Sequence, residues 1–81
     1  MEKSKQTPSK IFFVGIGGAS MSALAILAKR FGAIVDGCDD NNGPYIKILE
    51  KEGIYPSIPP NEACIEGFDV VVFSSAIKIS F

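Results

Sequence analysis

Histidine and tryptophan are both absent from this chain of 81 residues, and cysteine occurs only twice. Without histidine, the chain lacks the side chain that most often acts as a general base near neutral pH and most often binds metals. Cys38 and Cys64 are far apart and form no C-x-x-C pair. We therefore expect two buried, reduced thiols, and neither a disulfide nor a metal site.

An excess of charge of either sign is also missing, as are long apolar runs. The 8 basic and 9 acidic residues give a net charge of −1 and are spread along the chain. This balance argues against a nucleic-acid partner or an anionic membrane surface. No apolar run reaches the roughly 18 residues of a membrane span, and no apolar signal region follows the polar start MEKSKQTPSK. We therefore expect a cytoplasmic protein without a membrane partner, in which local geometry holds any bound anion.

Four short apolar runs alternate with two helical patterns along the rest of the chain. Residues 1–9 are expected to be a disordered lead-in, and residues 10–81 a single domain. The predicted strands cover residues 10–14, 33–38, 54–57 and 69–74. The first predicted helix has apolar residues at helical spacing from Met21 to Phe31, and the second runs from Pro44 to Glu52.

The alternation of strands with helices predicts a parallel α/β sheet with right-handed crossovers. The expected fold is a three-layer, Rossmann-like sheet with strand order 3-2-1-4, in which both helices lie on the same face. Only residues 58–68 remain to cover the other face, which is too few for a full layer of helices. We therefore expect the chain to be part of a larger protein.

Aromatic residues and methionine are assigned to the core of this fold. Phe12 and Phe13 lie in the first apolar run, and Met21 and Phe31 belong to the apolar stripe of the first helix. Residues 50–52 are charged and are expected to form a solvated helix face. Lys29 and Arg30 fall in the last turn of the first helix, where cations suit the negative end of the helix dipole.

The segment GIGGAS, residues 15–20, follows the first strand directly and opens the first helix. Gly15, Gly17 and Gly18 would leave backbone N–H groups free to hold a phosphate, with no Cβ in the way. The segment has no lysine and is not a GxxxxGK[ST] phosphate loop. It matches the dinucleotide pattern G-x-G-x-x-G only in part, because Ser20 stands where the third glycine would be. A purely structural tight turn is the alternative interpretation.

Polar residues follow two of the other predicted strands at the same edge of the sheet. Asp39 ends the second strand, where it could accept hydrogen bonds from a ribose hydroxyl, and it is preferred here to its neighbour Asp40. Ser74 and Ser75 follow the last strand and would face the glycine loop. Local capping of turns by these side chains is the alternative in each case.

Three segments together resemble the N-terminal domain of the Mur ligase family: FFVGIGGASMSALAILAKRFG, DGCD and DVVVFSSAIK. The resemblance covers roughly residues 10–78, and its most specific part is GxGG with Met-Ser three residues later and SSAI downstream. It implies that the domain binds the uridine diphosphate part of UDP-N-acetylmuramate. The substrate-binding residues that it implies are Gly15, Ile16, Gly17, Gly18, Ala19, Ser20, Met21, Asp39, Ser74, Ser75 and Ala76. Where family members often have a Gly-His pair after the third strand, this chain has YPSIPP.

The resemblance also implies an activity for the full-length protein. Within the family, the likeness is greatest to the ATP-dependent ligases that join L-alanine to UDP-N-acetylmuramate by an amide bond in peptidoglycan synthesis. Such an enzyme uses ATP and Mg²⁺, bound by a central domain with a GKT-type loop, and has a C-terminal domain as well. Neither domain is found in these residues, so we expect the chain to have no catalytic or metal-binding residues, to bind no cofactor and to be inactive alone. Its partners would be the sugar nucleotide and the remaining domains of the parent ligase.

Three alternatives stay open at this point. The order of strand, glycine loop, helix and acidic residue is shared with NAD(P)-binding Rossmann modules of dehydrogenases and redox regulators. A murein-peptide recycling ligase of the same family would bind the same sugar nucleotide. Finally, the isolated chain could be a stable α/β fragment that binds nothing well by itself.

Overall fold

The computed structural model of the chain describes residues 8–61 and 65–73. Its elements follow the order strand, helix, strand, helix, strand: β1 (Lys10–Val14), α1 (Ala19–Arg30), β2 (Ile34–Cys38), α2 (Pro44–Lys51) and β3 (Val70–Phe73). Within the described residues, neither helix is long and apolar enough to cross a membrane. The predicted alternation of strands and helices is therefore confirmed for these five elements.

The three strands form one parallel sheet in the order β2-β1-β3. Val14, the last residue of β1, lies beside Cys38 on one neighbour and Phe73 on the other. All three strands therefore end at the same edge of the sheet, and the loops that follow them meet there. The parallel α/β class is confirmed, whereas the four-stranded order 3-2-1-4 is not, because the described residues contain three strands.

The predicted strand over residues 54–57 is wrong: this segment forms a single parallel bridge, between Ser57 and Cys38. Ser57 N–H donates to the Gly37 carbonyl at 2.9 Å, and Asp39 N–H donates to the Ser57 carbonyl at 3.1 Å. The ladder would next need a donor at residue 59, but Pro59 has no N–H. On the other side, the Gly37 N–H donates to the Asp36 carboxylate instead of to the sheet. The bridge still lies beside β2, on the side predicted for a third strand.

The main core lies between the sheet and both helices. Phe13 from β1 packs with Met21 and Ala25 of α1 and with Ile46 and Leu49 of α2. Because residues from both helices meet one face of the sheet, the prediction that the helices share a face is confirmed. The core positions predicted for Phe13 and Met21 are confirmed as well.

The opposite face of the sheet is covered differently. Phe12 points away from Phe13, since successive strand residues alternate, and it is completely buried. Its ring meets Phe68 edge to face at 5.2 Å between centroids, and the Lys10 ammonium lies 5.6 Å from the Phe68 centroid. In residues 8–61 and 65–73, helices cover only one face, so the expected three-layer arrangement is not seen there. Of the described residues just before β3, Phe68 provides this aromatic contact.

Phe31 is not a core residue, contrary to the sequence prediction, because 83% of its surface is exposed. It follows the last residue of α1 and borders an apolar groove of about 290 Å³ between α1 and β3. The groove is lined by Ile11, Phe13, Leu24, Leu27, Ala28, Phe31, Val70 and Val72. In the described part of the chain, α2 packs against α1 on the β2 side and nothing packs on the β3 side. The helical stripe is therefore wider than the surface that the described residues bury.

The ends of the two helices are joined by polar contacts. Lys29 Nζ donates to the Glu52 carbonyl at 2.9 Å, at the end of α2. The Arg30 guanidinium donates twice to the Glu52 carboxylate, from Nη2 at 2.7 Å and from Nε at 3.3 Å. Hydrogen bonding by Arg30 lowers the pKa of Glu52 below its ordinary 4.5. The predicted place of Lys29 and Arg30 in the last turn of α1 is confirmed.

The Arg30–Glu52 pair gives a prediction for acid stability. A carboxyl group whose pKa is lowered by folding stabilises the native state above its unfolded pKa, and this contribution is lost as the pH falls through the lowered value. Glu52→Gln should therefore reduce the thermal midpoint of unfolding slightly at neutral pH and not at all in strong acid. The measurement is the midpoint of both chains between about pH 7 and pH 3. A constant difference over that range would show that the ion pair contributes nothing, and the effect should be small because the pair is solvent-exposed.

Candidate anion-binding site at the start of α1

Residues 15–18 form the loop that carries the chain from β1 into α1. Gly15 has φ of +77°, a conformation that residues with a side chain rarely adopt, and it turns the chain off the end of the strand. The N–H groups of Gly15 and Ile16 both donate to the Cys38 carbonyl, at 2.9 and 3.0 Å. The loop is thereby tied to the end of β2.

Ile16 anchors the loop in the core. Its side chain is completely buried, and it occupies space next to Gly37 of β2. A Cβ on Gly37 would lie 2.7 Å from Ile16 Cδ1 and 2.5 Å from the Phe13 carbonyl oxygen. The absence of a side chain at position 37 therefore lets an apolar residue of the glycine loop pack directly on the sheet.

Gly17 is bound by the carboxylate of Asp39. Its N–H donates to Asp39 Oδ2 at 2.7 Å, while Asp39 Oδ1 accepts the N–H of Asn41 at 3.1 Å. The second bond is the local turn that Asp-x-Asn sequences favour, and it matches the capping alternative considered for Asp39. The first bond joins residues 22 apart and has no signal in the sequence pattern.

Gly18 is the N-cap of α1, and its extended backbone leads into the helix. Its own N–H donates to the Gly15 carbonyl at 3.2 Å, and its carbonyl accepts the N–H of Ser22 at 2.8 Å. The hydrogen bonds of the helix thus begin with the Ser22 N–H. The preceding N–H groups, those of Ala19, Ser20 and Met21, have no helical partner, as is usual for the first turn.

The N–H donors of this loop are therefore divided into two sets. The donors expected from Gly15, Gly17 and Gly18 are all used within the chain, by the carbonyls of Cys38 and Gly15 and by Asp39. Among the described residues, the unpaired donors begin one residue later, at Ala19. Contact between the glycines and a phosphate stays a prediction, but the backbone groups best placed to bind an anion are those of residues 19–21.

The electrostatics of the first turn also favour an anion. The first turn of α1 contains no acidic residue and Gly18 provides no side-chain cap, so the positive end of the dipole is not compensated from within the helix. The nearby carboxylate of Asp39 lies on the Gly17 N–H, one residue before Gly18. Residues 11–28 contain no charged side chain of either sign. Backbone donors and the helix dipole are therefore the means of binding here, and Ser20, which is exposed, could add its hydroxyl.

The loops after β2 and β3 complete this edge of the sheet. Asp39 follows β2 directly, and β3 ends at Phe73, which lies beside Val14 just before the glycine loop. Ser74, Ser75 and Ala76, predicted to close the site, lie outside the described residues, as does Cys64. Cys38 is buried, as predicted. Among the described residues, no three His, Cys, Asp or Glu side chains come together in a group that could hold a metal ion.

Residues 10–80 match the model of the family described as "Mur ligase family, catalytic domain". The chain is 50% identical over 71 residues to a UDP-N-acetylmuramate–L-alanine ligase of Francisella tularensis subsp. holarctica, a match that covers 88% of this chain and 16% of the relative. The enzyme of the same name from Francisella philomiragia is 47% identical over 68 residues, covering 84% and 15%. The chain thus spans about a sixth of the length of these relatives.

A solved structure agrees with these matches. The crystal structure of a murein peptide ligase from Psychrobacter arcticus 273-4 superimposes with a TM-score of 0.81 at 32% sequence identity. The superposition covers 90% of this chain and 16% of that protein. The α/β arrangement of strands, loop and helices is therefore similar to one part of that ligase.

Proposed function

This chain belongs to the Mur ligase family, and we propose that it binds the diphosphate of UDP-N-acetylmuramate. The observation that carries the proposal is the start of α1, where the N–H groups of Ala19, Ser20 and Met21 lack helical partners and the first turn itself contains no acidic residue. A diphosphate supplies several acceptor oxygens and the negative charge that this end of a helix favours. The relatives named above supply the identity of the nucleotide sugar.

The position of the turn supports a nucleotide rather than a lone phosphate. In open parallel sheets, ligands lie outside the carboxyl ends of the strands, close to where the strand order reverses. Here β1 is central, and the chain goes first to β2 on one side and later to β3 on the other. The diphosphate would lie above β1, while the loops after β2 and β3 would flank the nucleoside and the sugar.

For the full-length protein, we propose ATP-dependent ligation of L-alanine to UDP-N-acetylmuramate. Support comes from the names of the relatives that are about half identical to this chain. A murein-peptide ligase, supported by the solved structure, is the alternative within the family. The chain contains no GxxxxGK[ST] loop for ATP and its Mg²⁺, so these groups do not fit its residues. We assign it no step of the ligation, and its parent's remaining domains would carry out that chemistry in the cytoplasm.

Nuclear magnetic resonance can test this proposal on the chain itself. On titration with UDP, we expect the amide signals of Ala19, Ser20 and Met21 to move most, because their N–H groups would gain acceptors. Amides at the far end of α1 serve as internal controls and should not move. NADH is the competing ligand. Movement with NADH and none with UDP would contradict the ligase assignment and favour a dinucleotide-binding module.

A further inference from the structure

We propose that Asp39 is a positioning residue that holds the glycine loop in its binding shape through Gly17, and not a ligand of the ribose. The inference rests on the proposed function, since it concerns how the same site is built. It starts from one contact, the 2.7 Å hydrogen bond from the Gly17 N–H to Asp39 Oδ2. Hydrogen bonds to an ionised carboxylate are shorter and roughly twice as strong as neutral ones.

The carboxylate is fixed from both sides. Oδ1 accepts the Asn41 N–H at 3.1 Å, and the backbone N–H of Asp39 donates to the Ser57 carbonyl at 3.1 Å. These contacts hold the side chain over the loop and leave Oδ2 facing Gly17. The aspartate is half-buried, so its bond to Gly17 is partly protected from competing water.

The fit between the two residues depends on glycine. A Cβ at position 17 would lie 2.8 Å from Asp39 Oδ2 and 3.3 Å from its Cγ. It would also approach Ile46 Cδ1 to 3.1 Å, so two side chains would have to shift to admit it. Glycine at position 17 therefore lets the carboxylate reach the backbone N–H without such a shift. Gly18 differs, because a Cβ there would meet only the Gly15 carbonyl oxygen, at 3.7 Å.

The bond also determines where an anion can bind. A phosphate at the Gly17 N–H would have to displace the carboxylate and would lie beside its negative charge. The next N–H groups, at residues 19–21, have no such carboxylate on them among residues 8–61 and 65–73. Asp39 therefore acts on the ligand indirectly: it ties down the loop and leaves the first turn of α1 as the binding surface.

The contact can be tested first without any nucleotide. In Asp39→Ala the Gly17 amide signal should move to the range of solvent-exposed glycines. In Asp39→Asn, which retains an acceptor oxygen, it should stay closer to its wild-type position. Asp40→Ala, which removes an exposed carboxylate at the next position, is the matched control and should leave the signal unchanged. A Gly17 signal that is the same in Asp39→Ala as in wild type would overturn the proposal.

Binding measurements then separate positioning from ribose contact, with inorganic pyrophosphate and UDP as the two probes. If Asp39 acts through the loop, Asp39→Ala should lower the affinity for both probes by the same factor, about tenfold. Asp39→Asn retains an acceptor oxygen, so its affinity for both probes should lie within a few-fold of the wild-type value. If Asp39 instead bound the ribose, Asp39→Ala would lower the affinity for UDP alone, and that result would overturn the inference. If the wild-type chain binds neither probe, the proposed function fails, and the Gly17 signal still decides the role of Asp39.

A double-mutant cycle provides an independent measure of the contact. Gly17→Ala and Asp39→Ala disturb the same hydrogen bond, so their effects on pyrophosphate affinity should be strongly non-additive. Gly18→Ala has space for its methyl group and should be additive with Asp39→Ala. Additive effects for both pairs would show that Asp39 does not act through Gly17.

Discussion

Replacing Gly37 by alanine should lower the free energy of unfolding by about 3 kcal/mol or more, the upper end of the usual cost of overpacking a core. The new Cβ would lie 2.5 Å from the Phe13 carbonyl oxygen, a backbone atom that no side-chain rotation can move. It would also lie 2.7 Å from Cδ1 and 3.0 Å from Cβ of Ile16, which is completely buried. Relief would require β1 and β2 to separate at the point where the glycine loop begins.

This loss is large for a chain of this size. The total stability of an 81-residue domain is on the order of 4–12 kcal/mol, and the thermal midpoint should fall by about 12 °C or more. Calorimetry or circular dichroism of the two chains would measure the difference. Gly43→Ala is the matched control: nothing lies within 4 Å of its added Cβ, and its φ of −86° suits alanine. Equal midpoints for Gly37→Ala and Gly43→Ala would refute the packing described for Ile16.

A second variant identifies which clash dominates. Shortening Ile16 to valine removes Cδ1 and leaves the Phe13 carbonyl in place. Gly37→Ala combined with Ile16→Val should therefore recover only a small part of the lost stability. Full recovery would show that the side chain, and not the backbone of β1, limits the space at position 37.

Much of the fold could be predicted because burial leaves a pattern in the sequence. Two patterns indicate which residues face the core: the apolar run at 10–14 and the helical spacing from Met21 onward. The predicted strand and helix are both present, as β1 and α1. The segment 54–57 has the same apolar character, but Pro59 removes the donor that would extend its pairing beyond Ser57. The predicted core position of Phe31 was wrong for another reason. A helical stripe does not reveal whether a neighbour covers its far edge, and in the described residues none covers this one.

The candidate site was predictable in location and not in detail. Glycines between a strand and a helix indicate a phosphate loop, because that chemistry depends on local backbone geometry. Which N–H groups stay unpaired depends on partners that are distant in sequence. The Gly17 N–H is used by Asp39, and those of Gly15 and Ile16 by the Cys38 carbonyl, so three donors are lost to residues beyond the helix. Periodicity contains no information about such pairings, and the Asp-x-Asn pattern at residues 39–41 indicates only the local bond from the Asn41 N–H to Asp39.

Ser20→Asp should affect binding and stability in opposite directions. Ser20 is an exposed residue in the first turn of α1, where the helix dipole favours a negative charge. The new carboxylate should therefore stabilise the fold by about 0.3–1 kcal/mol. It would also compete for the N–H groups of residues 19–21 and repel a diphosphate, so pyrophosphate and UDP affinity should fall by about 100-fold. Calorimetric titration and thermal unfolding of the same sample would measure both effects.

Two companion variants make this result specific to the first turn. Ser20→Asn has nearly the same shape without the charge and should keep the affinity within a few-fold of wild type. Ala23→Asp places the same charge at an exposed position in the next turn, where the dipole effect has largely decayed, and should weaken binding only slightly. Unchanged pyrophosphate binding by Ser20→Asp would mean that the anion does not lie at the start of α1. Because that variant is expected to be more stable than wild type, a loss of affinity could not be attributed to unfolding.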